Sequence, residues 1–159
     1  MARRDAGTMF SQAQAITALS QVSSFWVDFF DTSHQIGQAV KKPMLHVRVN
    51  QGFTGPLTVL NIYFQDAQQA AGSTGPNAVP GTFENTSVSI LSIPKAALFA
   101  GTDLLLVDIP NSGGLYGITA LNTQPDTLSD SPLQRYGQFL YTCDAIPTTG
   151  SIDAWLDTF

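Results

Sequence analysis

Apolar and polar positions along the chain alternate with a period of two in several short stretches. In Met44-Leu45-His46-Val47-Arg48-Val49, residues Leu45, Val47 and Val49 share one face, and Met44, His46 and Arg48 share the other. Successive side chains of an extended segment point to opposite faces, so this pattern predicts a strand with one buried side. Pro43 precedes it and Gly52, Gly55 and Pro56 follow, which punctuates both ends. Leu57 to Phe64 (LTVLNIYF) is apolar on both faces and rich in β-branched and aromatic residues, as a central strand is. Further strands are expected at Thr86 to Ile93, stopped by Pro94, and at Asp103 to Ile109, stopped by Pro110. Arg135 to Cys143 and Ser151 to Phe159 complete the clear set. In the last of these, Ile152, Ala154 and Leu156 face one way and Asp153 and Asp157 the other, with Trp155 between them. Phe25 to Phe30 (FWVDFF) is one more candidate.

Helical signals are sparse. Phe10 to Leu19 has helix-forming composition, with Phe10, Ala13, Ile16 and Leu19 three residues apart, but its second half suits extended chain equally well. Pro94 to Leu98 suits a single helical turn, since proline is tolerated at a first helical position. No amphipathic helix of the length a βαβ unit needs lies between strand candidates. About seven short strands with Gly, Pro and Asn between them predict an all-β sandwich or barrel. The 65–85 stretch (QDAQQAAGSTGPNAVPGTFEN) reads as a long polar loop, and Asn122 to Pro132 resembles it. No internal repeat is visible, and 159 residues suit one domain with a core of its own.

Composition narrows the function. Charged residues are only 12% of the chain, about half the usual share, while 43% are hydrophobic. Much of the surface must therefore be Ser, Thr, Gln, Asn and Gly, which favours extensive contact with other proteins or with copies of itself. A net charge of -5, with no basic cluster longer than two residues, argues against nucleic-acid binding. No apolar run approaches the roughly 20 residues that span a bilayer. No apolar segment follows the basic start Met1-Ala2-Arg3-Arg4-Asp5, so the chain reads as soluble and made in the cytoplasm.

The search for chemistry returns little. Nucleophile-elbow, phosphate-loop, dinucleotide and zinc motifs are all missing, so no cofactor, metal or catalytic residue is expected. His34 reads as an exposed loop residue and His46 as lying on the outward face of its strand. The single cysteine, Cys143, excludes an intrachain disulfide and reads as a small buried hydrophobe. Asp28 with Asp31, and Asp153 with Asp157, are the carboxylate pairs a β-scaffold hydrolase would use. Their plainer reading is as charges on the outer face of edge strands, where they discourage unwanted pairing.

Aromatic residues are the most informative positive feature. Phe25, Trp26, Phe29 and Phe30 cluster near the start, and Trp155 and Phe159 near the end. FWVDFF is aromatic on both strand faces, more than a two-layer sandwich buries alone, so one side is expected to meet a partner. A sugar-binding platform is the competing use of such residues.

The opening Met9-Phe10-Ser11-Gln12-Ala13-Gln14-Ala15-Ile16-Thr17, followed by a Ser-rich turn and Val27-Asp28, resembles the start of capsid cement (decoration) proteins of short-tailed bacteriophages. MLHVRVNQGF (44–53) and Leu57-Thr58-Val59 resemble that family's next hairpin, so the resemblance covers roughly the first 65 residues. The chain departs from the family pattern at Phe29-Phe30-Asp31 and in an expanded 65–85 stretch.

The resemblance implies a jelly-roll-like sandwich over 16–159 with an extended N-terminal arm at 1–15. It implies a structural virion protein on the outer capsid surface that binds the major capsid protein, bridges neighbouring capsomers and pairs with a second copy. No role with nucleic acid or membrane is implied. Met1 to Phe10 would be the shell-binding element, with Arg3, Arg4, Met9 and Phe10 in contact. Phe25, Trp26, Phe29, Phe30, Trp155 and Phe159 are the further candidates for shell or subunit contact. The rival reading is a phage tail or spike module that binds host glycans through exposed aromatics.

Overall fold

The computed structural model describes residues 9–28, 44–73, 78–108 and 136–157. They form an all-β sandwich of nine strands: β1 (Met9–Ala15), β2 (Ser20–Val22), β3 (Val27–Asp28), β4 (Met44–Thr54), β5 (Val59–Ala67), β6 (Glu84–Pro94), β7 (Asp103–Asp108), β8 (Tyr136–Cys143) and β9 (Thr149–Asp157). One sheet runs β1-β9-β4-β7. The other runs β2-β8-β5-β6, with β3 paired to a different stretch of β8. Every pairing is antiparallel. The pairs are nested: β5 with β6, β4 with β7, β2 and β3 with β8, and β1 with β9. The chain is thus one long hairpin rolled into two layers.

The core lies between the layers. Val47, Val49, Ile152, Ala154 and Leu156 come from the first sheet and Leu60, Ile62, Phe64, Phe139 and Tyr141 from the second. The period-2 reading of β4 holds, with Val47 and Val49 fully buried while Arg48 is exposed. So does the reading of β5, which lies between β8 and β6. Pro94 ends β6, and Lys95–Ala97 make one 3-10 turn.

Three expectations are corrected. Residues 9–15 are not part of an arm. They form edge strand β1, in register with β9 from Met9↔Trp155 to Ala15↔Ser151. The apparent helical spacing of 10–19 yields to this pairing, because β9 supplies a ladder and Phe10 fills the core edge-on to Phe139, ring centroids 4.2 Å apart. The 65–85 stretch is largely hairpin. The β5–β6 ladder continues through Gln65↔Asn85 and Asp66↔Glu84 to an isolated bridge at Gln69↔Pro80. Backbone bonds from Ala70 N to Val79 O and Gly81 N to Gln68 O carry it further. Small residues there hid the pairing, since their side chains give no periodic signal. Finally, FWVDFF is not one strand: of its described residues, only Val27 and Asp28 pair.

Candidate interaction surfaces

On one side of the sandwich, edge strands β1 and β2 belong to different sheets, and two glutamines stitch them together. The Gln14 amide donates to Val22 O at 2.7 Å and accepts from Ser24 N at 2.8 Å. The Gln21 amide donates to Ala15 O at 2.8 Å and accepts from Thr17 N at 3.0 Å. Phe25 N adds a backbone bond to Phe10 O. Strand edges are otherwise templates for unwanted pairing, and these bonds occupy them.

Between β2 and β3 the chain kinks. Ser23 is buried and fixes the kink: its N donates to Phe139 O, and its hydroxyl accepts from Phe139 N and donates to Phe25 O. The kink leaves Phe25 48% and Trp26 43% exposed, although Val27 beside them is buried. Trp26 packs edge-on against buried Tyr136, with ring centroids 5.1 Å apart. Of the five expected contact residues that are described, Phe25 and Trp26 are the two at the surface.

Met9, Phe10 and Trp155 are corrected: at 8%, 0% and 2% exposure they belong to the buried interior. Trp155 does lie on the sheet face opposite Ile152 and Ala154, but the His46 ring stacks on it at 4.1 Å. Arg3, Arg4, Phe29, Phe30 and Phe159 lie outside the described residues, as do Asp31, His34 and the 122–132 stretch.

A second apolar surface was missed by sequence reasoning. The connections 16–19, 144–148, 55–58 and 95–102 lie side by side at one end, each crossing between the sheets. They expose Leu19 at 52%, Ile146 at 48% and Phe99 at 61%. Single apolar residues inside turn-rich segments were the only available signal, and one alone is unremarkable on a surface. Cross-bonds brace this end. Cys143 N donates to Leu19 O, Thr148 N to Thr54 O, Lys95 N to Thr58 O and Phe53 N to Leu98 O. Asp144 accepts from Thr58 N at 2.9 Å, from Val59 N at 3.2 Å and from the Thr58 hydroxyl. These bonds hold its carboxyl down at about 2.

Reactive groups are scattered. Among the described residues no group of three or more His, Cys, Asp or Glu could hold a metal ion. His46 Nε2 lies 3.2 Å from Asp103 Oδ1, and Arg48 Nε lies 3.9 Å from the same oxygen. Asp153, expected to solvate an outer face, is buried in a central strand and accepts from Ala13 N at 2.6 Å. Asp28 lies in β3 on the other sheet, and Asp31 lies outside the described residues. The Cys143 thiol donates to Ala18 O at 3.3 Å. Burial, reinforced by the charge of Asp144, pushes that thiol's pKa up. No protein-family model matches the chain, and no curated protein is detectably similar to it. The described surface carries two groups of exposed apolar side chains, Phe25 and Trp26 along an edge and Leu19, Ile146 and Phe99 across an end.

Proposed function

We propose that this chain is a structural virion protein. It binds the outside of a major capsid shell, bridges neighbouring capsomers and stabilises the head against the pressure of packaged DNA. The observation that carries the reading is the pair Phe25 and Trp26, two large aromatics held in solvent by the buried Ser23 kink on a sparsely charged sandwich. Residues exposed in this way at the cost of solvating apolar area are the usual anchors of protein interfaces. The resemblance of the first 65 residues to phage cement proteins supports the same reading. The nested pairing supports describing the sandwich as a jelly roll, in which one long hairpin wraps into two sheets.

On this reading the partners are the major capsid protein and a second copy of the chain. The protein is made in the host cytoplasm and resides on the outer capsid surface. Each contact can be weak, because many copies on one shell add through avidity. Arg3 and Arg4 precede β1 and are proposed to meet acidic groups on the shell.

The test is co-sedimentation with expanded shells assembled without the protein. The full chain is compared with a form lacking residues 1–7, which spares Met9 and Phe10, and with Phe25→Ser/Trp26→Ser. Saturable binding that raises the shells' melting temperature and is lost in the double variant is the expected result. Absence of binding by the full chain would sink the reading. The same two exposed aromatics also favour a glycan-binding tail or spike module, and binding to a glycan array without binding to shells would select it.

A further inference from the structure

Trp26 packs on Tyr136 at one end of the outer face of the second sheet, and the rest of that face is a different surface. Leu60, Ile62 and Phe64 of β5 and Phe139, Tyr141 and Cys143 of β8 belong to the core. The residues between them therefore point outward. Ladder register extends these positions into rows across the sheet, because directly paired residues share a face. One row is Ser20, Thr142, Asn61 and Ser92, on β2, β8, β5 and β6 in turn. The next is Val22, Leu140 and Tyr63. The rows lie about 7 Å apart, and the four strands span about 14 Å. All seven residues are half-buried or exposed, so solvent reaches both rows.

The polar side chains here are uncommitted. Ser20, Asn61, Tyr63, Ser92 and Thr142 make no side-chain hydrogen bond to any described residue. Elsewhere such groups are engaged: Gln14, Gln21 and Ser23 hold backbone groups, and Gln138 on this same face donates to Gln65 at 2.8 Å.

We propose that this face is a binding site for an uncharged carbohydrate, with Tyr63 as the stacking ring and Asn61 and Thr142 as hydrogen-bonding groups. The inference goes beyond the shell-binding reading and does not depend on it.

Hydrogen bonding selects the ligand first. An apolar protein patch laid over the face would strip water from five polar side chains and return nothing, a cost at each one. A sugar ring carries hydroxyls that both donate and accept around its rim, so it replaces that water. Its C–H face is apolar, and the Val22–Leu140–Tyr63 row offers it an aromatic ring beside two aliphatic side chains. Charge selects second. Neither row holds a charged residue. At the rim stand Lys95 and Asp144, both exposed, at one end and Asp28 at the other, one cation against two anions. An anionic polysaccharide, a nucleic acid or an acidic peptide meets no net attraction there.

The experiment is affinity electrophoresis of the full chain in gels containing dextran, mannan or galactan, which are neutral, or alginate, which is anionic. Wild type runs beside Tyr63→Ala, Asn61→Ala/Thr142→Ala and Phe25→Ser/Trp26→Ser. Every substituted side chain reaches solvent, and thermal melting verifies that each variant folds. The expected result is retardation by at least one neutral polysaccharide and none by alginate. Binding should be about tenfold weaker in Tyr63→Ala and in Asn61→Ala/Thr142→Ala, and undiminished in Phe25→Ser/Trp26→Ser. Unchanged migration of the wild type in every neutral gel overturns the proposal and leaves the shell reading to its own test. Loss confined to Phe25→Ser/Trp26→Ser moves sugar binding to the kinked aromatics and overturns it too. Retardation by alginate alone overturns the choice of an uncharged ligand. A wild-type dimer dispersed by Tyr63→Ala in analytical ultracentrifugation, with sugar binding unchanged, gives the face to a second copy and overturns the proposal.

Discussion

The Ser11 hydroxyl lies 2.7 Å from the Tyr141 hydroxyl, joining edge strand β1 of one sheet to β8 of the other across the core. Ser11 Oγ donates onward to Gln14 Oε1 at 2.6 Å, so Tyr141 donates to Ser11. Ser11→Ala should strand a buried phenol and cost about 1–3 kcal/mol, while Tyr141→Phe leaves Ser11 its acceptor and should cost about 0.5–1.5 kcal/mol. Urea unfolding of both variants checks the order; equal costs would refute the relay. Burial, only partly offset by the Ser11 bond, raises the Tyr141 pKa above its ordinary value. Its contribution is therefore complete below that ordinary value and is lost as pH climbs through the folded-state one.

Gln14 stitches the two sheet edges through both ends of its amide. Gln14→Ala should lower stability by about 1–2 kcal/mol and speed hydrogen exchange at the Ser24 amide. Unchanged exchange there would show that the amide bond is dispensable.

Gly150 has φ +146, and a Cβ there would lie only 2.4 Å from Phe53 Cδ1. Gly150→Ala combines backbone strain with overpacking and should cost about 2–4 kcal/mol. Thermal melting beside Gly72→Ala is informative, because Gly72 has φ +79 but open space around it. The second variant should lose only its backbone share.

Asp144 ties the 144–148 connection to β5, and its pKa is lowered to about 2 from an ordinary 3.8. A depressed folded-state pKa stabilises above the unfolded value and loses that contribution as pH falls through the folded one. Asp144→Asn should therefore melt below the wild type at pH 6, with the gap closing between pH 4 and pH 2. A gap independent of pH would exclude the charge as its cause.

The two tryptophans should separate spectroscopically. Trp26 is 43% exposed and Trp155 only 2%. Trp26→Phe should leave blue-shifted emission resistant to acrylamide, and Trp155→Phe should leave red-shifted, readily quenched emission. Trp155→Ala should cost about 3–5 kcal/mol as the truncation of a large buried side chain.

How legible a residue was depended on what recorded its environment. Val47 and Val49 were readable because a one-sided strand alternates. Leu60, Ile62 and Phe64 were readable because a central strand is apolar throughout. The 10–19 segment was ambiguous because Phe10, Ala13, Ile16 and Leu19 recur at a helix-like spacing, and only β9 makes its first half a strand. Trp155 was named as a contact candidate among the clustered aromatics, yet His46 and the flanking strands cover it. Phe99 and Ile146 went unremarked because each is alone in sequence, and Leu19 was read only as part of the 10–19 spacing.

Local patterning thus determined the β class and most strands, since burial of a strand face is written in adjacent residues. Tertiary structure alone decided which strands are neighbours, that β1 closes the sandwich, and that four distant connections share one end. Pairing order and loop clustering come from contacts between residues as far apart as Ser11 and Tyr141, and no short window of sequence contains both partners.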